Sequence, residues 1–481
     1  MKIFRSREIV LRIRAALLWL LWIVPVAVAV GSASAFFLWS LDAATASRFA
    51  HPELLYFLPL AGLGIGLIYH TWGRPAEGGN NLIFDQIHDA GEGVPRRMAP
   101  LILFATVVTH WFGGSAGREG TAVQIGGSIA AGFGKWLKMA PMQTRLLLMT
   151  GIAAGFGAIF GTPIAGAVFA LEVLLIGRLQ YGALIPCLIA GFIADQTCRA
   201  WGAEHTHYLV SGLNGRGWAV ELSILVRVIV VGIAAGLAAA LFAEMTHTLH
   251  SVFKKLIPYA PLRPFAGGLL IIGLTAVAGT REYLGLGVSS PNPGDMTIPG
   301  FFLTADGDSL AWAWKILFTA VTLGCGFKGG EVTPLFFIGA ALGSTLAGIM
   351  GGPIDLFAAL GFVAIFAGAT NTPVASTILG IELFGAAHAP YLAVACFIAF
   401  LCSGHSGIYL SQRIGVSKIG GGFVPSGTPL REVREMKPSL LHRIYARMQG
   451  RLKLPPASNS ESVEDVRNED THKGTGAVGD D

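Results

Sequence analysis

The feature that most constrains this sequence is an internal duplication. The segment Thr162–Ala165 (TPIA) recurs as Thr372–Ala375 (TPVA). A glutamate follows each copy at the same distance, at Glu172 and Glu382. The chain is therefore predicted to contain two related halves.

A second pair of matching segments lies upstream of the first pair. Gly117–Thr121 (GREGT) and Gly330–Pro334 (GEVTP) are each followed by an Ile-Gly dipeptide, and they are separated by nearly the same interval as the first pair. One small deletion in the second half accounts for the difference. In a membrane protein, a duplication of this kind predicts a substrate site where the two halves meet.

Composition indicates a membrane protein. Of the 481 residues, 53% are hydrophobic and only 13% are charged, and the mean hydropathy is +0.61. The stretch Ala15–Leu41 contains no charged residue and is long enough, at ~1.5 Å per residue, to cross a hydrocarbon core of ~30 Å. A cleaved signal peptide would be shorter, and the chain stays apolar far beyond this stretch.

Several later apolar runs are too short to cross a bilayer, and glycine-rich breaks such as Gly113–Gly117 and Gly324–Gly330 separate them. Non-helical backbone at membrane depth is tolerated where it is buried in protein or lines a wet cavity. Broken helices at matching places of both halves point to an ion site, because their N-termini can aim inward. We therefore predict an all-α polytopic membrane protein with broken helices.

The positive-inside rule predicts that both termini are cytoplasmic, because the first fourteen residues and the region from Arg431 to Lys453 are basic. The sequence divides into five predicted parts: a cytoplasmic N-terminal segment (1–14), a first membrane repeat with a leading helix (15–210), a second membrane repeat (211–425), a cytoplasmic amphipathic segment (426–453) and a disordered tail (454–481).

Charge and cysteine content exclude several classes of protein. The net charge of +5 lies mainly in the flanking segments, which indicates topology and lipid contact and not nucleic-acid binding. The five cysteines are scattered through apolar segments without a C-x-x-C motif, so neither a disulfide framework nor a metal site is predicted. No cofactor is expected.

Glu119 is the first candidate functional residue. A carboxylate at membrane depth costs at least ~2.5–3.5 kcal/mol, so such a residue usually has a function. The alternative is a glutamate at a helix start that Arg118 neutralises. The glycine-rich entry and the duplication favour the functional interpretation.

The other charged residues near the repeats have structural interpretations. Glu172 and Glu382 occupy equivalent positions, so we expect each to cap the N-terminus of a neighbouring helix. Lys328 and Glu331 flank the second glycine-rich loop and are expected to form a local pair at the rim of a cavity.

Thr333 follows the same loop. Its hydroxyl and the backbone N–H groups of a helix start would form a nest for an anion. The alternative is an ordinary N-cap, with Pro334 as the first helical residue.

Three further residues could face an anion. Asn80 carries two amide donors after a glycine pair, although asparagine is also a common helix cap. Phe84 is one turn further on, and its ring edge carries positive partial charge, although phenylalanine usually serves packing. Tyr409 carries a phenolic donor, with anchoring at the membrane interface as the favoured alternative.

These motifs resemble the CLC family of anion channels and proton-coupled antiporters. The resemblance rests on Gly117–Thr121, Gly330–Pro334 and the two Thr-Pro segments, and it spans roughly residues 50 to 415. It implies two inverted repeats of tilted and broken helices, and a homodimer with one pore in each subunit.

Departures from the usual family pattern resemble its fluoride/proton antiporter branch. Asn80 stands where most members have a chloride-coordinating serine, Thr121 replaces a proline, and Val332 and Thr333 replace the usual residues before Pro334. The resemblance puts Val173 in place of the inner proton-transfer glutamate of chloride/proton antiporters.

By this resemblance the chain is a secondary active transporter, not an enzyme, that exports fluoride from a bacterial cytoplasm across the inner membrane in exchange for protons. Glu119 is then the gating residue, which competes with the anion and carries the proton. The resemblance implies that the anion site is formed by Asn80, Val332, Thr333, Tyr409 and Phe84.

Two alternatives remain. One is a chloride-selective CLC channel or chloride/proton antiporter, against which Asn80 and Val173 argue. The other is an intramembrane serine hydrolase, because Gly113–Gly117 matches G-x-S-x-G around Ser115. That motif is weak in a chain with 64 glycines, and no supporting histidine motif accompanies it.

Overall fold

The computed structural model describes residues 2–89, 91, 93–206, 208–211, 222–292, 294–419 and 424–436. These residues form a helical protein with one two-stranded parallel sheet, in which Leu175 pairs with Arg413 and Ile176 with Ile414. The described residues form one compact unit that includes parts of both predicted repeats.

The first half contains these elements in chain order: α1 (Lys2–Ala50), α2 (Leu58–Ile68), α3 (Gly79–His88), α4 (Met98–Trp111), α5 (Glu119–Trp136), α6 (Pro141–Phe160), α7 (Pro163–Glu172), β1 (Leu175–Ile176) and α8 (Leu184–Ala200). The second half contains α9 (Leu222–Leu256), α10 (Leu262–Ala278), α11 (Ala311–Gly324), α12 (Val332–Met350), α13 (Ile354–Thr370), α14 (Pro373–Phe384), α15 (Ala389–Cys402), β2 (Arg413–Ile414) and α16 (Leu430–Met436). Short 3₁₀ or π turns lie between them at Pro52–Phe57, Tyr69–Gly73, Arg74–Ala76, Tyr181–Ala183, Gly300–Phe302 and Ala386–His388.

The helices differ widely in length, as expected for a membrane protein with broken helices. Within the described residues, six apolar helical segments are long enough to cross a bilayer, and others are only 10–17 residues long. The helices α7 and α14 have 10 and 12 residues, or roughly 15–18 Å at 1.5 Å per residue. Each begins at a buried Thr-Pro pair, Thr162-Pro163 or Thr372-Pro373, so the prediction of broken helices is confirmed.

The two halves use the same helix packing. A Cβ atom added to Gly126 of α5 would lie closer than 3.0 Å to the carbonyl oxygen of Gly151 on α6. One added to Gly339 of α12 would meet the carbonyl oxygen of Gly361 on α13 in the same way. Only glycine permits backbones to approach this closely, so the duplicated sequence repeats a tight helix pair.

The repeated glutamates cap each other's repeat. Glu172, at the end of α7, accepts hydrogen bonds from the backbone N–H groups of Val374 (3.1 Å) and Ala375 (2.8 Å) at the start of α14. Glu382, on α14, accepts from Ile164 (3.1 Å) and Ala165 (2.7 Å) at the start of α7. The predicted capping role is confirmed, and its reciprocity reflects the two-fold relation of the halves.

The helix α1 runs without interruption from Lys2 and so continues across the predicted boundary at residue 15. Within the predicted segment 426–453, α16 joins the compact unit, because the Arg434 guanidinium donates to Glu244 of α9 at 2.7 Å. The remainder of that segment from residue 437, together with the predicted tail 454–481, lies outside the described residues.

Candidate functional site

The two glycine-rich loops meet at the centre of the protein. Gly117 and Gly330 form an antiparallel bridge, in which each backbone N–H donates to the other residue's carbonyl oxygen, at 2.6 and 2.8 Å. A Cβ on Gly117 would lie 2.9 Å from the Thr333 nitrogen, so a side chain does not fit there. This pairing brings the N-termini of α5 and α12 together.

The Glu119 carboxylate lies in a group of donors at this junction. Its Oε2 accepts hydrogen bonds from the Thr333 backbone N–H (2.9 Å), the Thr333 hydroxyl (2.5 Å) and the Arg118 backbone N–H (3.2 Å). Glu119 is only 1% exposed. Backbone N–H groups at a helix start favour negative charge. The first residue of α5, in one repeat, is therefore held by the start of α12, in the other.

Two alternatives from the sequence can now be judged. Thr333 does not cap its own helix, because α12 begins one residue earlier and the Thr333 hydroxyl donates to Glu119. The N-cap interpretation of Thr333 is therefore wrong. Arg118 does approach Glu119, with its Nε atom 3.5 Å from Oε1, but the shorter contacts of the carboxylate come from Thr333.

The first turn of α3 reaches the same place. Asn80 is buried, and its Nδ2 atom lies 3.1 Å from the position that a Cβ on Gly120 would take. The Cα of Gly330 is equally close to that position. The structure thus brings Asn80, the start of α5 and the second glycine loop together. Val332 is buried at the first position of α12, directly before Thr333.

Phe84, one turn after Asn80 on α3, packs against Tyr409. Their rings pack edge to face, with centroids 5.1 Å apart and planes at 86°. Tyr409 is 2% exposed. The alternative that Tyr409 anchors the membrane interface is therefore wrong, because the ring lies inside the protein. Phe84 is one turn beyond Asn80 on α3, which connects the pair to the carboxylate site.

The predicted pair of Lys328 and Glu331 does not form. The Lys328 ammonium instead lies over the Tyr69 ring, 4.3 Å from its centroid, and the described contacts contain no ion pair between Lys328 and Glu331. A cation held on an aromatic face needs no carboxylate partner. The sequence offered no sign of Tyr69, which lies far from the loop along the chain.

Ser115 does not have the surroundings of a nucleophile. Its hydroxyl contacts the Thr319 hydroxyl at 3.0 Å. The nearby His110 directs both ring nitrogens at backbone carbonyl oxygens, those of Thr106 (2.8 Å) and Ala116 (2.9 Å). A serine hydrolase needs a histidine hydrogen-bonded to the serine, so the hydrolase alternative is wrong.

Val173 directly follows the capping residue Glu172 and ends α7. Its side chain is fully buried in the apolar core. A valine at this place cannot accept or release a proton.

Sequence reasoning missed a small cavity beside Glu119. Its volume is about 20 Å³, and it is lined by Arg118, Glu119, Phe160, His205, Thr206, Tyr208, Val288, Ile298, Thr333, Phe336, Phe362 and Leu383. The residues between α8 and α9 have no recognisable counterpart in the duplication, so nothing in the sequence marked His205 or Tyr208.

The chain is similar in sequence to proteins described as chloride or fluoride channels. A family model described as "Voltage gated chloride channel" matches residues 61–404. A "Chloride/fluoride channel protein" of Pseudomonas syringae pv. tomato is 48% identical over 408 residues, which cover 83% of this chain and 87% of that protein. A "Voltage-gated ClC-type chloride channel ClcB" of Salmonella dublin is 27% identical over 376 residues, covering 73% and 84% of the two chains.

Solved structures with the same architecture include a CLC-type fluoride/proton antiporter, with a TM-score of 0.78 and 33% identity. The match covers 83% of this chain and 98% of that one. A slow cyanobacterial Cl⁻/H⁺ antiporter matches with a TM-score of 0.68 and 20% identity, covering 90% and 99% of the two chains, and it supports the fold alone.

Proposed function

Because the chain belongs to the voltage-gated chloride channel (CLC) family, we propose that it is a secondary active transporter that exports fluoride in exchange for protons. Members of this family are channels and transporters and not enzymes. Two similarities support fluoride as the substrate: the name of the relative that is 48% identical and the antiporter structure that is 33% identical. The proposed exchange uses proton entry to drive fluoride out of the cell.

One observation carries this proposal: the Glu119 carboxylate occupies the donors that a transported anion would need. The Thr333 backbone N–H and hydroxyl both donate to it, at 2.9 and 2.5 Å. An anion entering this nest must displace the carboxylate, since one set of donors cannot serve two negative groups. Protonation of Glu119 removes its charge and weakens these bonds. Glu119 then leaves with its proton as the anion takes the nest.

The donor groups around the nest suit fluoride. Fluoride is small and strongly hydrated, so a site must replace its water with hydrogen-bond donors. Thr333 provides two donors, and the Asn80 amide and the Tyr409 hydroxyl provide others. The ring edge of Phe84 adds positive partial charge. Val332 fills the wall beside Thr333 with apolar contact.

Val173 supports a shared route for the two ions. A valine in the apolar core at the end of α7 provides no separate proton carrier on that side. In the proposed mechanism the proton therefore travels on Glu119 itself, through the region that fluoride also crosses. Each inward swing of protonated Glu119 is paired with outward movement of fluoride.

The proposal also includes the cellular setting. We assign the protein to the inner membrane of a bacterium, with both termini in the cytoplasm, because the relative that is 48% identical is bacterial and the first fourteen residues of this chain are basic. A homodimer with one site in each subunit follows the family pattern. The proposed transporter carries fluoride and protons and is embedded in the lipid bilayer.

Flux from proteoliposomes tests the proposal. Vesicles containing the purified protein are loaded with potassium fluoride or potassium chloride, and ion-selective and pH electrodes record release of the anion and movement of protons. We expect fluoride efflux coupled to proton uptake, little chloride efflux, and no coupled proton movement for Glu119→Gln. Glu53→Gln is a matched control, because Glu53 is 63% exposed and its ion-pair partner His51 is exposed too.

Comparable chloride efflux would favour a chloride transporter or channel instead. Fluoride efflux without proton movement in the unmodified protein would contradict the exchange. Coupled exchange that survives in Glu119→Gln would contradict the role of Glu119.

A further inference from the structure

Three residues that line the small cavity beside Glu119 each carry a buried polar atom without a hydrogen-bond partner in the described part of the chain. Glu119 Oε1 and Arg118 Nε lie 3.5 Å apart as an ion pair but do not form a hydrogen bond. Neither of these atoms, nor His205 Nδ1, has a hydrogen-bond partner among the described residues, and all three residues line this cavity. A buried polar atom left without a hydrogen-bond partner is costly. Three such atoms around one cavity indicate that they share a partner.

One water molecule fits both the space and the chemistry. The cavity measures about 20 Å³, and a water needs ~10–15 Å³ and two to four polar neighbours. Arg118 Nε–H is a donor, and Glu119 Oε1 is an acceptor. The His205 Nε2–H donates to the Ala158 carbonyl oxygen at 2.9 Å, so Nδ1 of the neutral ring is an acceptor. A single water accepts one hydrogen bond and donates two, which matches this set.

We propose that His205 is a proton-transfer residue that delivers protons to Glu119 through a water molecule in this cavity. A proton from solution binds His205 Nδ1 and forms an imidazolium. The Nδ1–H bond then breaks, the water accepts that proton and passes one of its own to Glu119 Oε1. The products are a neutral imidazole, a neutral carboxylic acid and the same water. This inference rests on the proposed exchange of fluoride for protons.

The cavity lies toward the side of the membrane where α1 ends. Val288 and Ile298, from the loop after α10, form part of its wall. In the same loop the Arg281 guanidinium donates to the carbonyl oxygen of Pro52, just beyond the end of α1. With the N-terminus in the cytoplasm, this side faces outward. His205 is partly exposed and follows α8, so protons from outside reach it before they reach Glu119.

The groups around His205 suit a transient carrier. Asp195 and Arg199 face it from α8, joined by a 3.0 Å ion pair, and Arg118 and Glu119 face the same cavity from the start of α5. Burial lowers the pKa of the His205 imidazole, as do the Arg199 and Arg118 guanidinium groups, while the Ala158 carbonyl and Asp195 raise it. The ring is therefore neutral at rest, and its imidazolium form releases a proton readily.

The remaining groups near His205 complete its surroundings. Tyr208 and Thr206, from the same loop, also line the cavity. Phe160 is the lining residue that α6 contributes, and it carries no charge. Among these neighbours, Glu119 is the acceptor that receives the proton in the proposed exchange.

Chemical rescue tests this role. His205→Ala and His205→Gln are reconstituted, and fluoride efflux and proton uptake are recorded with and without imidazole in the outer solution. Gln keeps a donor for the Ala158 carbonyl and cannot carry a proton, so it serves if the alanine variant fails to fold. His51→Gln is the control, because His51 is an exposed histidine beyond the end of α1.

We expect both His205 variants to lose roughly a hundredfold of the exchange rate, which is the lower limit for a lost proton-transfer group. Imidazole should restore the rate of His205→Ala and leave the control unchanged. A normal rate in His205→Gln, or a loss in His205→Ala that imidazole does not restore, would overturn the inference. Failure of the unmodified protein to move protons would instead overturn the proposed exchange itself.

Discussion

The reciprocal caps between α7 and α14 give a quantitative prediction. In Glu172→Ala the backbone N–H groups of Val374 and Ala375 lose their acceptor, because Glu172 binds both, at 3.1 and 2.8 Å, and is only 5% exposed. Each stranded N–H costs about 1–3 kcal/mol, and the relief of no longer burying a carboxylate offsets ~2.5–3.5 kcal/mol. With mid-range values, two stranded N–H groups cost about 4 kcal/mol and the relief is about 3 kcal/mol, so we expect a net loss of about 1 kcal/mol of unfolding free energy.

The second cap extends the prediction. Glu382→Ala removes the matching acceptor from Ile164 and Ala165. The two caps lie near opposite ends of α7, roughly 12 Å apart along the helix. Changes separated by more than ~7–10 Å usually add within about 0.5 kcal/mol, so the double variant should lose the sum of the two single losses.

Unfolding by titration with sodium dodecyl sulfate in mixed micelles, followed by tryptophan fluorescence, measures these free energies. Glu53→Ala is the control, because its side chain is 63% exposed and such a surface change usually stays within about 0.5 kcal/mol. A Glu172→Ala protein as stable as the control would refute the reasoning. So would a double variant no less stable than either single variant.

Two further substitutions test the proposed anion site, at Asn80, and the hydrogen bonds of the buried Lys418. Asn80→Ser shortens a donor at the start of α3, so the ratio of fluoride to chloride efflux should fall by a factor of about 10, the equivalent of one hydrogen bond; an unchanged ratio would exclude Asn80 from selectivity. Lys418→Met removes the ammonium that donates to the Asn371 side chain (2.5 Å) and the Phe400 carbonyl (2.6 Å), so the free energy of unfolding should fall by about 3 kcal/mol. Lys135→Met, at an exposed position, should change the free energy of unfolding little. Equal losses in the two variants would contradict a stabilising role for the Lys418 hydrogen bonds.

The duplication made part of this structure predictable. Equal spacing of Glu172 and Glu382 from their Thr-Pro segments indicated one shared role, and both residues cap a helix of the opposite repeat. The glycine-rich loops also indicated where the halves meet, because glycine at matching positions permits close backbone contact. A motif that occurs in both repeats has the same structural role in each, so a role inferred for one copy can be checked against the other.

Contacts between distant, unrepeated residues were not predictable. Thr333 had the local pattern of an N-cap, but the neighbouring repeat brings the Glu119 carboxylate within 2.5 Å of its hydroxyl. Lys328 had an acidic residue nearby in sequence, yet it lies on the Tyr69 ring. His205 has no counterpart in the other half. In each case the deciding neighbour comes from a part of the chain that no local pattern identifies.

The central claim is that fluoride and the Glu119 carboxylate compete for the same donors. The most direct test adds sodium fluoride to purified protein in unbuffered detergent solution near neutral pH, with a glass electrode recording proton uptake. The account predicts uptake of up to one proton for each fluoride bound, because displaced Glu119 is protonated, and none in Glu119→Gln. Fluoride binding without proton uptake, or with equal uptake in Glu119→Gln, would contradict it.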